Sequence, residues 1–562
     1  MTKKPDLTRK EFLRAALVTA AVPALVGSVG AGPLRQQQGG QTSDITVDDL
    51  KTLEKMIGIE FTDDERKEVL RQVQQFTRGY ESIRDLHMDN SVPPATAFIP
   101  QGKQPAAGKA TSVVHRDIPG ISKPSSDEDV AFMTVAELSQ LVKHKKISPV
   151  ELTEIYLKRI DAYGEKLLNV ITPTHDLARA QAKKAQEEIA AGNYRGPLHG
   201  LPYGLKDLYA VKGYPTTWGS GPHKDQVLDY NCAVYDKLTE AGAVLVGKLS
   251  MGALAMNDVW FKGRTKDPWD PTQGSSGSSA GPASCMAAGM VAFSIGTETQ
   301  GSIVSPSHKC RVTGLRPTFG RVSRYGAMTL SWTMDKAGPI CRTAEDCMLV
   351  LAAIHGADVR DPGSVDRPLH WSPDVDISSL KIGVLEQGQP LSGDTPSDDY
   401  IELLKKLGAK PESVKFSQLQ RGVMVDLSVE AAAAFDDFTT SGKIHGLENS
   451  FWPQIFRAYR YVTAVESLQA LRARSLAMKT IEEEFGDYDM VFAPDRGSFL
   501  LLNTNRTGHP QMLMPYGTND KGAERSVSVY GRLYDEAKIA AVVWKMQQET
   551  EFYKLRPDLS KA

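Results

Sequence analysis

Between Gly274 and Pro306 the chain reads GSSGSSAGPASCMAAGMVAFSIGTETQGSIVSP, a run rich in glycine and serine whose only ionisable side chains are Cys285 and Glu298. Glycine and serine alone would suit a flexible linker. The apolar middle, MAAGMVAFSI, has to be buried somewhere and rules a linker out. The pattern predicts two polar loops clamped around a buried helix and strand, the helix opening at Pro282 and ending near Gly289, the strand covering Met290–Ile295. Loops held rigidly by a core are where functional groups tend to sit.

The rest of the chain supplies a large scaffold. Thr46 is placed to cap a short helix carrying Val47, Leu50, Leu53 and Ile57 on one face, and Thr62 with Glu65 forms a capping box before a longer amphipathic helix. The run from Ser91 to Ser126 lacks periodicity and reads as an extended surface arm. Thr134 with Glu137, and Ser148-Pro149-Val150-Glu151, mark two further helix starts. A long alanine-rich helix is expected over Leu177–Ala191, and Ala243–Gly247 and Lys381–Leu385 have the composition of short strands. Residues from Asp426 to Arg474 read as mainly helical, and a last helix runs from near Asp535 towards Glu549. Helices alternating with strands predict an α/β core.

Composition narrows the function. The 562 residues are 41% hydrophobic and 24% charged with a net charge of −2, so no basic surface argues for nucleic acid. Five cysteines without CxxC spacing make a disulfide framework or zinc site a poor fit, and neither HExxH nor GxxxxGK[ST] occurs. Lys3, Lys4, Arg9 and Lys10 followed by the uncharged run Ala15–Val29 and the small residues Ser28–Ala31 read as an export signal over residues 1–31. Thr8–Arg14 resembles a twin-arginine signal with Lys10 in place of the second arginine. This predicts a periplasmic or extracellular protein, the alternative being an uncleaved N-terminal anchor. Residues 32–128 then form a linker, a small helical element and the arm, and residues 129–562 the main domain.

Three places carry candidate chemistry. Lys206, in Gly200-Leu-Pro-Tyr-Gly-Leu-Lys-Asp207, follows a short apolar segment; if buried it would lose its proton and become a neutral base, and otherwise it is a surface lysine paired with Asp207. Ser278 and Ser279 precede a helix, where a serine can also be a simple cap. In Gly296-Thr-Glu-Thr-Gln-Gly-Ser302, a glycine before a serine allows a sharp turn whose successive N–H groups point one way, a nest able to hold an oxyanion; the plain alternative is a polar turn.

Taken together these places are similar to one family. From about Phe132 to Pro557 the chain resembles the amidase signature family of serine hydrolases, through Gly196-Pro-Leu-His-Gly-Leu-Pro202 with Leu205-Lys206-Asp207, Gly213–Ser220, Asp267-Pro-Trp-Asp270, the glycine/serine stretch, Gly314–Gly320, Asp335–Ile340 and Asn505–Pro510. The resemblance implies a large mixed β-sheet covered by helices on both faces, and a Ser–Ser–Lys triad needing no metal or cofactor. Lys206 matches the general base and Ser302 the nucleophile. For the middle serine both Ser275-Ser276 and Ser278-Ser279 resemble the family motif. The family spacing to the nucleophile is about 24 residues, which selects Ser278 over Ser275, and the family carries a cis peptide bond at that serine. The implied oxyanion hole is formed by the N–H groups of Thr299, Gln300, Gly301 and Ser302.

The chain departs from the family pattern at Glu298 (commonly aspartate), Gln300 (glycine), Val304 (arginine) and Ala280. The last two are expected to alter the polarity of the pocket and to disfavour a glutamine-type substrate. Expected, then, is an exported serine amidase acting on a small-molecule amide, without nucleic-acid partner or stable membrane insertion. An apolar or aromatic acyl pocket is expected from Val423–Phe438 and Phe451–Tyr461. Alternatives are a glutamine-hydrolysing subunit of a tRNA-dependent amidotransferase, a catalytically silent binding protein of the same fold, and an esterase built on Gly277-Ser-Ser279-Ala-Gly281. The esterase motif needs a preceding strand, and the residues from Asp267 to Gly274 read as a loop.

Overall fold

The computed structural model describes residues 45–84, 86, 110–386, 399–418, 425–447, 450–519 and 522–561. The export signal expected over 1–31, the linker that follows and the arm from 91 to 109 lie outside the described residues.

Eleven strands of the described residues form one mixed sheet. In chain order they are β1 (Val170–Pro173), β2 (Pro202–Lys206), β3 (Val244–Leu249), β4 (Phe293–Glu298), β5 (Thr313–Arg316), β6 (Lys336–Cys341), β7 (Ile382–Leu385), β8 (Glu412–Val414), β9 (Met490–Pro494), β10 (Gln511–Thr518) and β11 (Glu524–Gly531). Across the sheet the order is β8-β7-β9-β11-β10-β5-β6-β4-β2-β3-β1. Strands β3, β2 and β4 run parallel to one another, as do β8, β7 and β9. The antiparallel pair β10–β11 joins the two halves.

Side chains alternate along a strand, so each face of the sheet builds its own core. Leu245, Phe293, Ile295, Ala337 and Cys341 pack with helices Val135–Lys143, Ala344–Ile354 and Glu536–Thr550. Val244, Val246 and Ile340 join a second cluster with helices Pro149–Leu167, His175–Ala190 and Ala280–Ala287. The helix within the glycine/serine stretch is buried at every residue, as its apolar composition requires. It begins two residues before Pro282, and the following strand starts at Phe293 rather than Met290 and continues to Glu298. That later register brings Thr297 and Glu298 into the sheet. The segment 267–274, expected as a loop, contains the strand Asp270–Gly274 paired with Lys266–Asp267 in a separate two-stranded ribbon.

The N-terminal helices Val47–Ile57 and Asp63–Arg84 form where the caps predict, with a capping box at Thr46–Asp49. They dock on the helical region near residue 460 through Leu50, Phe61, Val73 and Phe76 against Ala458 and Tyr461. Under that contact Glu54 is buried, accepting from Arg66 at 2.6 Å, from the Phe61 N–H at 3.1 Å and from the Tyr461 hydroxyl at 2.5 Å. Among the described residues no helix is long and apolar enough to cross a membrane.

Candidate active site

Strands β2 and β4 pair in parallel with Leu205 opposite Ile295. Lys206, the last residue of β2, therefore emerges beside Gly296 and Thr297 at the carboxyl ends of the parallel strands, where open α/β sheets commonly place ligands. Its side chain is fully buried, and its Nζ lies 2.9 Å from Ser278 Oγ, 3.1 Å from Ser279 Oγ, 2.9 Å from Thr297 Oγ1 and 3.4 Å from the Thr297 carbonyl. Burial pushes this amine down to about 7, an effect that the more distant Asp335 and Glu298 carboxylates only partly offset. The neighbouring Asp207, the partner a surface lysine would need, is instead paired with buried Lys248 at 2.8 Å.

The hydrogen bonds around Lys206 fix the direction in which a proton would move. Ser279 Oγ accepts from the Thr297 N–H at 3.2 Å and donates to the Thr297 carbonyl at 3.0 Å. Toward the lysine it can therefore only accept. A neutral amine has two N–H bonds and one lone pair. With Ser279 Oγ and Thr297 taking the two N–H groups, the lone pair is left for the Ser278 hydroxyl. Sequence reasoning weighs Ser279 only as a helix cap or as the serine of an esterase motif, and gives Thr297 no role; that both hold the lysine amine depends on the pairing of β2 with β4.

Ser278 is buried and follows the cis peptide bond Gly277–Ser278. A Cβ on Gly277 would sit 1.8 Å from the Asn257 carbonyl oxygen, so only glycine admits this approach. Ser275, the alternative middle serine, turns its hydroxyl to the Ser276 carbonyl at 2.9 Å and makes no contact with Lys206. The 24-residue spacing thus selects the serine that the fold places against the lysine.

Ser302 is partly exposed, and its carbonyl accepts from the Ser279 N–H at 3.0 Å, tying the two serine loops together. Gly301 before it has φ +95°, a left-handed conformation that favours glycine. Among the described residues, the N–H groups of Thr299, Gln300, Gly301 and Ser302 have no intramolecular acceptor. Those of Ile303 and Val304 do: both donate to Glu298 Oε2, at 2.9 and 3.0 Å. Glu298 Oε1 accepts from Arg316 Nη1 at 2.9 Å and from Asn505 Nδ2 at 2.7 Å. Burial alone would raise this carboxyl; Arg316, the Val304 N–H and Asn505 outweigh it and hold it below the ordinary range. Glu298 thereby anchors the residues just after Ser302 and leaves the four preceding N–H groups free. Thr299 is held by its hydroxyl donating to Asp335 at 2.6 Å, and Gln300 Oε1 accepts from Arg506 at 3.3 Å.

Two expectations about the pocket are corrected. Val304 is buried against Leu501 and Leu513, and Ala280 is buried in its helix, so neither sets the polarity of an open cleft. Of the aromatic residues in the segments expected to line an acyl pocket, Phe435, Phe456 and Trp452 are core, Phe435 and Trp452 each stacking on Phe456 at 4.9–5.0 Å, while Phe451 is exposed; residues 423 and 424 lie outside the described residues. A cleft of about 260 Å³ opens elsewhere, between Leu208–Tyr209, Thr297, Thr299 and the loop from Arg324 to Asp335.

Comparison with known proteins agrees with this architecture. The amidase family model matches residues 151–495. A glutamyl-tRNA(Gln) amidotransferase subunit of Moorella thermoacetica is 30% identical over 492 residues, covering 77% of this chain and 100% of the relative. Its counterpart in Pseudomonas savastanoi pv. phaseolicola is 31% identical over 481 residues, 76% of this chain and 99% of the relative. Among solved structures, native peptide amidase from Stenotrophomonas maltophilia superposes with a TM-score of 0.66 at 25% identity, covering 75% of this chain and 97% of that one. With a family model matched over more than half its length, on a mixed α/β fold shared with these enzymes, the chain belongs to the amidase signature family of amide carbon–nitrogen hydrolases.

Proposed function

We propose that the protein is a serine amidase that cleaves a small-molecule carboxylic amide through an acyl-enzyme on Ser302. The observation that carries this reading is the buried Lys206 amine, 2.9 Å from Ser278 and brought down to about 7 by burial. A serine hydroxyl is a weak nucleophile at neutral pH and needs an adjacent base. As Ser302 Oγ bonds to the carbonyl carbon, its proton passes to Ser278 and the Ser278 proton to Lys206. The carbonyl oxygen gains charge and is met by the free N–H groups of residues 299–302, a preorganised electrostatic term worth about 3–4 kcal/mol per donor in comparable sites. The relay then runs backwards, the leaving nitrogen takes the proton, and the C–N bond breaks. Water attacks the ester by the same route, releasing the carboxylate.

Treatment with a fluorophosphonate probe followed by peptide mapping tests the assignment. Covalent labelling at Ser302 that disappears in Lys206→Ala is expected. A wild-type chain inert to such probes would favour the silent binding protein.

One observation supports a second reading, hydrolysis of glutamine within a tRNA-dependent complex: relatives named for that role match along their whole length. Release of glutamate from glutamine by the purified chain together with retention on tRNA would favour it. Export is part of the first reading and rests on residues 1–31 of the sequence alone; the N-terminal mass of the mature protein from an extracytoplasmic fraction tests it.

A further inference from the structure

The cleft beside Thr297 and Thr299 has no assigned occupant. Its inner end adjoins the relay, because Thr297 Oγ1 touches Lys206 and Thr299 opens the run of free N–H groups. Ala255, Ala327, Met328 and Leu330 contribute apolar wall, and half-exposed Trp332 stands at its rim.

The charged groups of the wall already have hydrogen-bond partners, the two arginines in carboxylates and Asp335 and Lys336 in neutral groups. Arg324 makes a two-pronged pair with Asp361, at 2.9 and 3.1 Å, and a third bond to the Trp332 carbonyl. Arg360 is paired with Asp358 at 2.7 Å. Asp335 accepts from the Thr299 hydroxyl and from the N–H groups of Leu330 and Ser331. The Lys336 amine turns to the Met334 and Asn505 carbonyls, on the Glu298 side of the sheet. A carboxylate entering the cleft would find both arginines already paired, and an ammonium would meet in Asp335 a carboxylate whose oxygens already accept from three donors, so either would lose its water for little return.

We propose that this cleft is the specificity subsite for an uncharged apolar or aromatic substituent of the amide, a ring with a short chain being the size that the volume admits. The proposal rests on the amidase reading above and specifies its substrate class. The substituent can belong to the acyl side or to the leaving amine, and phenylacetamide and acetanilide separate the two.

The full chain is assayed with phenylacetamide, acetanilide, acetamide and glutamine. One of the two aryl amides is expected to exceed both acetamide and glutamine in kcat/KM by about tenfold or more, the scale on which apolar pockets discriminate. Ala327→Trp, which fills the cleft, should lower the ratio of aryl amide to acetamide by a similar factor. Glutamine turned over at least as efficiently as either aryl amide overturns the proposal, whatever the variant does. So does a ratio unchanged in both Ala327→Trp and Trp332→Ala. Either result with Ser302 still labelled leaves the amidase reading standing; loss of both labelling and all amide hydrolysis in the wild type overturns the two together.

Discussion

Replacing Lys206 by methionine separates the functional use of this residue from its structural cost. The amine falls from an ordinary 10.5 to about 7 on burial, a drop of about 3.5, and at about 1.4 kcal/mol per pH unit this corresponds to about 5 kcal/mol. The sign follows from proton counting. Between about pH 7 and 10.5 the unfolded chain keeps the proton and the folded site has shed it, so stability rises with pH across that window. Below about pH 7 the lysine is protonated in both states and the folded state bears the whole penalty. Methionine removes the penalty but forfeits hydrogen bonds to Ser278, Ser279 and Thr297, together about 3 kcal/mol at about 1 kcal/mol each. Lys206→Met should therefore be about 2 kcal/mol more stable than wild type at pH 6 and about 1 kcal/mol less stable at pH 9, while losing activity at both. Urea denaturation at the two pH values, with checked refolding, measures the difference. A stability difference that is the same at pH 6 and pH 9 would refute the reasoning, since Lys206 would then titrate alike in both states and could not serve as a neutral base.

With Lys206 as the base of the proposed relay, kcat/KM, or the rate of Ser302 labelling, should rise through about pH 7 as the amine loses its proton and level off above it, and a profile flat from pH 6 to 9 would contradict this. Glu298→Gln leaves buried Arg316 without its carboxylate; a loss of about 3–5 kcal/mol in stability is expected, along with a fall in kcat larger than any rise in KM, read from urea melts and steady-state kinetics. Arg66→Met leaves Glu54 buried and unpaired under the N-terminal helices; limited proteolysis within 45–84 should accelerate while Ser302 labelling persists. Ser278→Ala and Ser302→Ala should each cost nearly as much activity as the double variant, because a relay fails as a unit; additive losses would argue for independent roles.

Much of the site was legible because its signals are local. Helix caps at Thr46, Thr134 and Ser148 are three-residue patterns, and all three helices start there. The choice of Ser278 over Ser275 came from the spacing that the family resemblance implies, and Ser278 is the one of the two that lies against Lys206. What escaped the sequence depends on contacts between distant segments. Glu298 looked like a departure from a family pattern, yet its partners Arg316 and Asn505 lie 18 and 207 residues away. Val304 looked like a lost charge in a pocket, when the turn after Ser302 points it into the core. The aromatic segments near Phe435 and Phe456 could equally have lined a cleft or filled a core, since composition does not distinguish the two. The cleft wall from Arg324 to Asp335 has no periodicity that would have singled it out.

The strand order carries a consequence for how the chain is made. Strands β1 to β6 come from residues 170–341 and lie side by side, and β7 to β9 from residues 382–494 form a second block. Among the described residues, the two blocks are hydrogen-bonded into one sheet only through β10 and β11, the last of its strands in the chain. Until that hairpin inserts as a keystone, β5 and β9 each present an open edge, the kind of edge that invites pairing with another chain. Asn505, the distant tie on Glu298, arrives just before the keystone. A nascent chain thus carries Lys206, Ser278 and Ser302 long before the loop that bears Ser302 receives its last anchor, and the finished enzyme is timed to the completion of its sheet.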